Sequence, residues 1–363
     1  MFERPNIRRV SGYEPGKQPT APAIKLNTNE NPLAPSDAVM AVLSGITPAM
    51  LQRYPDPLAT GLRQAIARYH GCAVDQIVAT NGSDEFLRLA VTTFAAPGQP
   101  IGVVEPGYNL YAVLAAIQDC PLAAVPLSEN WMPPEDLAVR WNRAGARLAL
   151  LANPHAPSGV LLAVDGIARL AAAFDGVLLV DEAYVDFVDP RRGHDLIPLI
   201  DQFPNLLLAR TLSKGHSLAG LRLGYGLGAA GLIAPMLTKV RDSYNVDAIA
   251  QHVATAAFAY PEGARRSWAL VRAERERLAA ALHARGFESV PSEANFLLAK
   301  VPASFGSAEA LLAALAEHDL YLRWLDVPLL VDCLRITIGT VAENDRLIAA
   351  LDQLMPTPER GQP

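Results

Sequence analysis

Between about residue 60 and residue 230, short and nearly continuous apolar runs alternate with longer stretches of helical character. The runs are QIVAT, PIGVVEP, RLALLANP, GVLLVDEAY, NLLLARTLSK and RLGYGLG. Strands that are apolar on both faces are buried on both sides, as in a parallel sheet covered by helices. Helices are expected between them, at Asp84–Phe94 with Ser83 or Asp84 as N-cap, and at Val164–Phe174. The pattern predicts an α/β fold with a doubly wound, mainly parallel sheet. The first fifty residues, rich in proline and asparagine (NTNENPLAPS), predict an extended arm. Beyond about residue 246, the helical stretch GARRSWALVRAERERLAAALHARG precedes shorter strands near Asn295–Ala299 and Leu334–Ile338. The expected division is a large α/β domain at 30–245 and a smaller α+β domain at 246–363, joined by the arm 1–29.

Composition narrows the class. The chain has 363 residues, 51% of them hydrophobic, enough for one large core and a second smaller one. Net charge is −6 with no long block of one sign, so a nucleic-acid footprint is not expected. Cys72, Cys120 and Cys333 lie far apart, which suits neither a disulfide framework nor a zinc site. The opening MFERPNIRRV lacks the apolar core of a signal peptide, and no apolar stretch is long enough to span a bilayer. A cytoplasmic protein without metal, nucleic-acid or membrane partners is the expectation.

In open α/β sheets, ligands bind beyond the carboxyl ends of the strands. The residues just beyond each apolar run are therefore the candidates for chemistry. IVAT leads into Asn81, Gly82, Ser83 and Asp84, a turn opening a helix, whose N–H groups make a phosphate cradle. IGVVEPG ends at Tyr108, able to stack on a planar ligand, and LALLA leads into Asn153-Pro154-His155-Ala156-Pro157-Ser158-Gly159. VLLV ends in Asp181, with Tyr184 three residues on. LLLA leads into Thr211, Ser213 and Lys214, with Arg222 eight residues beyond the lysine. Taken singly, each has a plainer reading: Asn-Gly-Ser-Asp is an ordinary turn, and a strand-end lysine often snorkels to water. The glycines of GLRLGYGLG lack dinucleotide-binding spacing.

Collected on one edge, however, phosphate donors, an aromatic plate, a carboxylate, a phenol and a lysine match the requirements of pyridoxal phosphate. Its aldehyde needs a lysine to form an imine, its ring nitrogen a carboxylate, and its phosphate hydroxyls, N–H groups and an arginine. The resulting expectation makes Lys214 both covalent anchor and proton carrier.

The chain resembles fold-type I pyridoxal-phosphate aminotransferases of the histidinol-phosphate aminotransferase family. The resemblance rests on YEPGK, KLNTNENPLAPS, RYPDP, NGSDE, DEAY, LSK…LAGLRLGYG, YNV and LRITIGT in that order, and it spans nearly the whole chain. It implies that Lys214 is the imine lysine, Asp181 the partner of the pyridine nitrogen, Tyr184 the phenol on the cofactor's 3-oxygen, and Tyr108 the stacking ring. It places Ser83, Asp84, Thr211, Ser213 and Arg222 around the phosphate. Tyr54 is similar to a tyrosine that reaches the neighbouring subunit's cofactor, which implies a homodimer with shared active sites. Arg335, Arg323, Tyr13 and Asn27 resemble substrate-binding residues. One departure stands out: the family commonly has asparagine directly before the proline, on the 3-oxygen, where this chain has Ala156, with Asn153 or His155 as replacement donors. The implied activity is ping-pong transamination between L-glutamate and imidazole-acetol phosphate. An aromatic or broad-specificity transaminase, or a threonine-phosphate decarboxylase, would share the same cofactor residues.

Overall fold

The computed structural model describes residues 2–19 and 23–355. After a two-residue strand in the arm, β1 (Ile24–Lys25), seven strands build the main sheet: β2 (Ile77–Thr80), β3 (Ile101–Glu105), β4 (Leu122–Pro126), β5 (Leu148–Ala152), β6 (Val177–Asp181), β7 (Leu206–Thr211) and β8 (Gly224–Gly228). Their spatial order is β2-β8-β7-β6-β5-β3-β4. All are parallel except β8, which pairs antiparallel with both β2 and β7.

The continuous apolar runs are explained by two cores, one on each face of the sheet. Leu206, Leu208, Leu178 and Val180 point to one core, under the helices Thr60–His70, Val164–Ala173 and Ala248–Ala259. Their odd-numbered neighbours Leu207, Ala209 and Leu179 point to the other, under Gly82–Phe94 and Asn109–Ile117. Along the central strands β5, β6 and β7 nearly every residue is buried in one core or the other, so the period-2 polar alternation of a one-sided sheet disappears.

A four-stranded antiparallel sheet, ordered β12 (Arg323–Trp324), β13 (Cys333–Thr337), β10 (Phe296–Lys300) and β9 (Glu288–Ser289), forms the smaller unit, with β11 (Leu320–Tyr321) pairing parallel to β1. Leu278, Leu297, Ile336 and Leu347 fill its core together with Leu26 of the arm. Leu26 of the arm thus packs with the small unit.

Two expectations differ from the structure. The boundary falls later than residue 246, because the helix Ala248–Ala259 buries Ala250, Val253, Ala254, Ala257 and Phe258 in the large core. The small-unit core begins only with the next helix, Glu262–His283. The helix at the first turn starts at Gly82, so Ser83 and Asp84 lie inside its first turn and Asn81 takes the cap position. Strand β4 and the helices Asp37–Leu43 and Pro48–Gln52 have no counterpart in the sequence expectation. All three are short, at five to seven residues. Among the described residues no helix is long and apolar enough to cross a membrane.

Candidate active site

The carboxyl ends of β2, β6 and β7 open into one cleft lined by Ser83, Asp84, Tyr108, Asp181, Thr211, Ser213, Lys214 and Arg222. Because β8 runs backwards, its beginning rather than its end lies at this edge, and that brings Arg222 beside Ser213. The apolar run alone carried no such direction.

Lys214 follows β7, and its Nζ donates to the Thr28 carbonyl of the arm at 2.8 Å. Desolvation, then the repulsion of Arg335, pushes its ammonium down to about 8 from the ordinary 10.5. Neighbouring backbone is pinned by the arm, since Asn31 Nδ2 donates to the Lys214 carbonyl at 3.1 Å.

Asp181 ends β6 on the face covered by Asn109–Ile117 and is only 5% exposed. It accepts the Tyr111 hydroxyl at 3.0 Å and the Ala183 N–H at 3.1 Å. Burial still raises its carboxyl to about 6. A buried carboxylate in this condition lacks a cation, and a protonated pyridine nitrogen would supply one. Tyr108 stands beside it, edge-on to Tyr111 at 5.5 Å and to Tyr13 at 5.9 Å between ring centroids.

The phosphate cradle is assembled from two loops and a helix end. The first-turn amides of the helix Gly82–Phe94 have no acceptor within the helix, and the helix dipole favours an anion there. Thr211 Oγ1 donates to Ser213 Oγ at 2.9 Å, and Arg222 Nη1 approaches the same oxygen at 3.5 Å. Asp84 faces Arg222 at 3.3 Å, so only its backbone amide is directed to an anion. Gly82 is left-handed (φ 75°), and a Cβ there would sit 2.7 Å from Arg222 Nη2. A Cβ on Gly224 would overlap the Ser83 amide. Lysine, buried carboxylate, ring and anion cradle together fit pyridoxal phosphate.

Tyr184 packs edge-on against Phe296 at 5.0 Å and beside Ala156, and its oxygen accepts Asn29 Nδ2 at 3.0 Å. The two replacement donors do other work. Asn153 is fully buried, its amide spanning the Leu162 backbone at 3.1 and 2.7 Å, and it does not line the cleft. His155 sits between Ser158 Oγ at 2.8 Å and the Pro106 carbonyl at 3.0 Å. Both stabilise the loop after β5, and the Asn153 side chain, expected at the cofactor, is bonded to the Leu162 backbone instead of lining the cleft.

A second cavity adjoins the cleft at Thr28 and Tyr108 and is lined by Tyr13, Asn27, Ala156, Arg323 and Arg335. Arg323 and Arg335 are direct cross-strand partners on β12 and β13. Among the described residues neither has a carboxylate partner: Arg335 donates to the Asn27 carbonyl at 2.9 Å, and Arg323 to the Glu14 carbonyl at 3.3 Å. Like charges opposite one another in a sheet repel, so an anion between the two guanidinium groups would be favoured. Tyr54 stands apart from this cleft, 80% exposed and stacked on Tyr244 at 4.3 Å. Sequence reasoning missed Tyr111, Thr28, Asn29 and Asn31. Tyr111 was within reach, being one helical turn from Tyr108, whereas the arm residues arrive through tertiary packing alone.

Fold and site together define a pyridoxal-phosphate-dependent transferase of the aminotransferase class. A family model described as aminotransferase class I and II matches residues 21–351. The chain belongs to that family, within its histidinol-phosphate aminotransferase branch. Histidinol-phosphate aminotransferase 1 of Trichormus variabilis is 39% identical, over 98% of this chain and 99% of that protein. Histidinol-phosphate aminotransferase of Chromohalobacter salexigens is 40% identical, over 97% of this chain and 98% of that one. The histidinol-phosphate aminotransferase of Sinorhizobium meliloti, solved in complex with pyridoxal-5'-phosphate, superposes with a TM-score of 0.84 at 27% identity, covering 91% of this chain and 90% of that one.

Proposed function

We propose that the protein transfers the amino group of L-glutamate to imidazole-acetol phosphate, giving 2-oxoglutarate and histidinol phosphate, a ping-pong reaction that is a step of histidine biosynthesis. The observation that carries this reading is the cross-strand pair Arg323 and Arg335, without a carboxylate partner, in a cavity joined to the Lys214 cleft. Two guanidinium forks suit a substrate phosphate and accept a distal carboxylate equally well. Relatives that are 39% and 40% identical over nearly their full length carry the same substrate in their names.

When bound, pyridoxal phosphate supplies an aldehyde for the amino group and a protonated ring that withdraws electrons from the substrate's α-carbon. The protein's own groups do the rest. Lys214 Nζ would hold the cofactor covalently, and as a neutral amine it would accept and return the proton at the substrate's α-carbon. Asp181 keeps the ring nitrogen protonated, and Tyr108 covers the ring face. Tyr184 donates to the ring oxygen. Thr211, Ser213, Arg222 and the first-turn amides at Ser83 and Asp84 hold the phosphate. Tyr13 and Asn27 shape the substrate end from the arm.

Tyr54 completes the cofactor site of a second copy of the chain. Its exposure, stacked on the half-exposed Tyr244, supports that homodimeric reading. Three free thiols agree with a reducing, cytoplasmic setting.

The test is a set of single half-reactions on purified protein loaded with pyridoxal phosphate, followed by visible absorption. Histidinol phosphate is expected to convert the bound cofactor far faster than L-phenylalanine, and L-glutamate to convert it too. A faster reaction with phenylalanine would make the arginine cavity a site for aromatic substrates, and carbon dioxide from threonine phosphate would make the enzyme a decarboxylase.

A further inference from the structure

Asn29 lies in the arm with a left-handed backbone (φ 55°) and is 1% exposed. Three hydrogen bonds lock it to the small unit. Its N–H donates to Thr337 Oγ1 at 3.0 Å, Thr337 Oγ1 donates to its Oδ1 at 3.1 Å, and its carbonyl accepts Asn295 Nδ2 at 2.9 Å. The Thr337 bonds also settle which way the amide faces. The threonine oxygen already accepts from the Asn29 backbone, so its one proton goes to Oδ1, and Nδ2 is left to donate to Tyr184 at 3.0 Å. A phenolic proton lies in the ring plane, on one side of the oxygen or the other. With one in-plane side taken by the Asn29 donor, the tyrosine proton is directed to the opposite side.

We infer that Asn29 is a positioning residue that makes Tyr184 a donor toward the cofactor's ring oxygen, and that through Thr337 it ties this donor to β13, the strand that carries Arg335. This rests on the reading of Tyr184 as the phenol on that oxygen. Asn29 touches neither cofactor nor substrate. Its effect is to fix the hydroxyl against rotation, and to make that fixing depend on the strand that grips the substrate's anion. The charged and titratable groups around Tyr184 are Asp181 on β6, Arg335 on β13, Tyr13 in the arm, Tyr108 at the start of the helix Asn109–Ile117 and Tyr111 within it. Lys214 faces Arg335, Glu30, Asp84 and Arg222.

The readout is the pH midpoint of the visible absorption change of the loaded enzyme, which reports the proton shared between the lysine-linked nitrogen and the ring oxygen. A donor on that oxygen favours its anion and so lowers the midpoint; removing the donor raises it. Asn29→Asp retains size, the left-handed backbone and an oxygen for Thr337, but replaces the donor by an acceptor. It is expected to raise the midpoint by about one pH unit. In a Tyr184→Phe background the same substitution should cause no further shift. Asn29→Gly, which tolerates the backbone and adds no charge, should shift the midpoint in the same direction. A shift of equal size with and without the Tyr184 hydroxyl would show a plain charge effect and overturn the inference. So would no shift in Asn29→Asp while Tyr184→Phe itself shifts. If Tyr184→Phe leaves the midpoint unchanged, it is the reading of Tyr184 that fails.

Discussion

Lys214 is distinguished less by its sequence neighbours than by what folding does to its amine. Desolvation and Arg335 bring its protonation down to about 8. The sign is fixed by the charge: the cation is the disfavoured form, so the neutral nucleophile predominates above that value instead of above the usual lysine range. In protein stripped of cofactor, the rate at which added pyridoxal phosphate attaches to Lys214 should rise with pH and level off above about 8. A rate still climbing at about 10, the ordinary lysine value, would contradict the assigned environment. Asp181 and the lysine move in complementary directions, the carboxyl up to about 6 and the ammonium down, and burial is the leading cause of both. Such displaced values gather where chemistry is done.

At the level of elements, the phosphate cradle depends on how closely the start of β8 passes the first turn of the helix Gly82–Phe94. Two glycines permit that approach. Gly82→Ala would place a methyl group on a left-handed residue and against Arg222 Nη2. It should lower stability by about 1–2 kcal/mol and weaken pyridoxal-phosphate binding by about tenfold or more. Thermal unfolding and a cofactor titration measure the two effects. Gly61→Ala, where a Cβ meets nothing within 4 Å, serves as the control and should leave cofactor binding unchanged. The cross-strand arginines obey the same logic of placement. Register between β12 and β13 sets them opposite each other, and a one-residue slip would separate them onto different faces.

At the level of the whole molecule, the arm welds the two units together around the site. Thr28 holds the lysine amine, Asn29 holds Tyr184, Asn31 holds the lysine's carbonyl, and the adjacent β1 pairs with β11 of the small unit. The exposed Tyr54 extends the argument to a second copy of the chain. If sites are shared, mixing Lys214→Ala and Tyr54→Ala chains, each nearly inactive alone, should restore about a quarter of normal activity after subunit exchange, because only the mixed dimer contains one intact site. No recovery, with mixed dimers demonstrated by mass, would confine each site to a single chain.

Much of this architecture was legible without coordinates. Buried strands betray themselves because both faces must be apolar, and the residue ending each strand must lie at one edge of a parallel sheet. Those two constraints placed Ser83, Tyr108, Asp181, Thr211 and Lys214 together, in agreement with the cleft. Local sequence carries no information about the direction of an apolar strand, so the reversal of β8 that delivers Arg222 belongs to the tertiary structure. Nor does it carry the environment of an amide: Asn153 occupies the right strand end yet turns inward to Leu162, while Asn29, unremarkable within an asparagine-rich stretch, reaches Tyr184 from 155 residues away. Strand identity and end position are set by burial and periodicity, which are local properties of the chain. Partnership across long separations is set by packing, and only the folded molecule decides it.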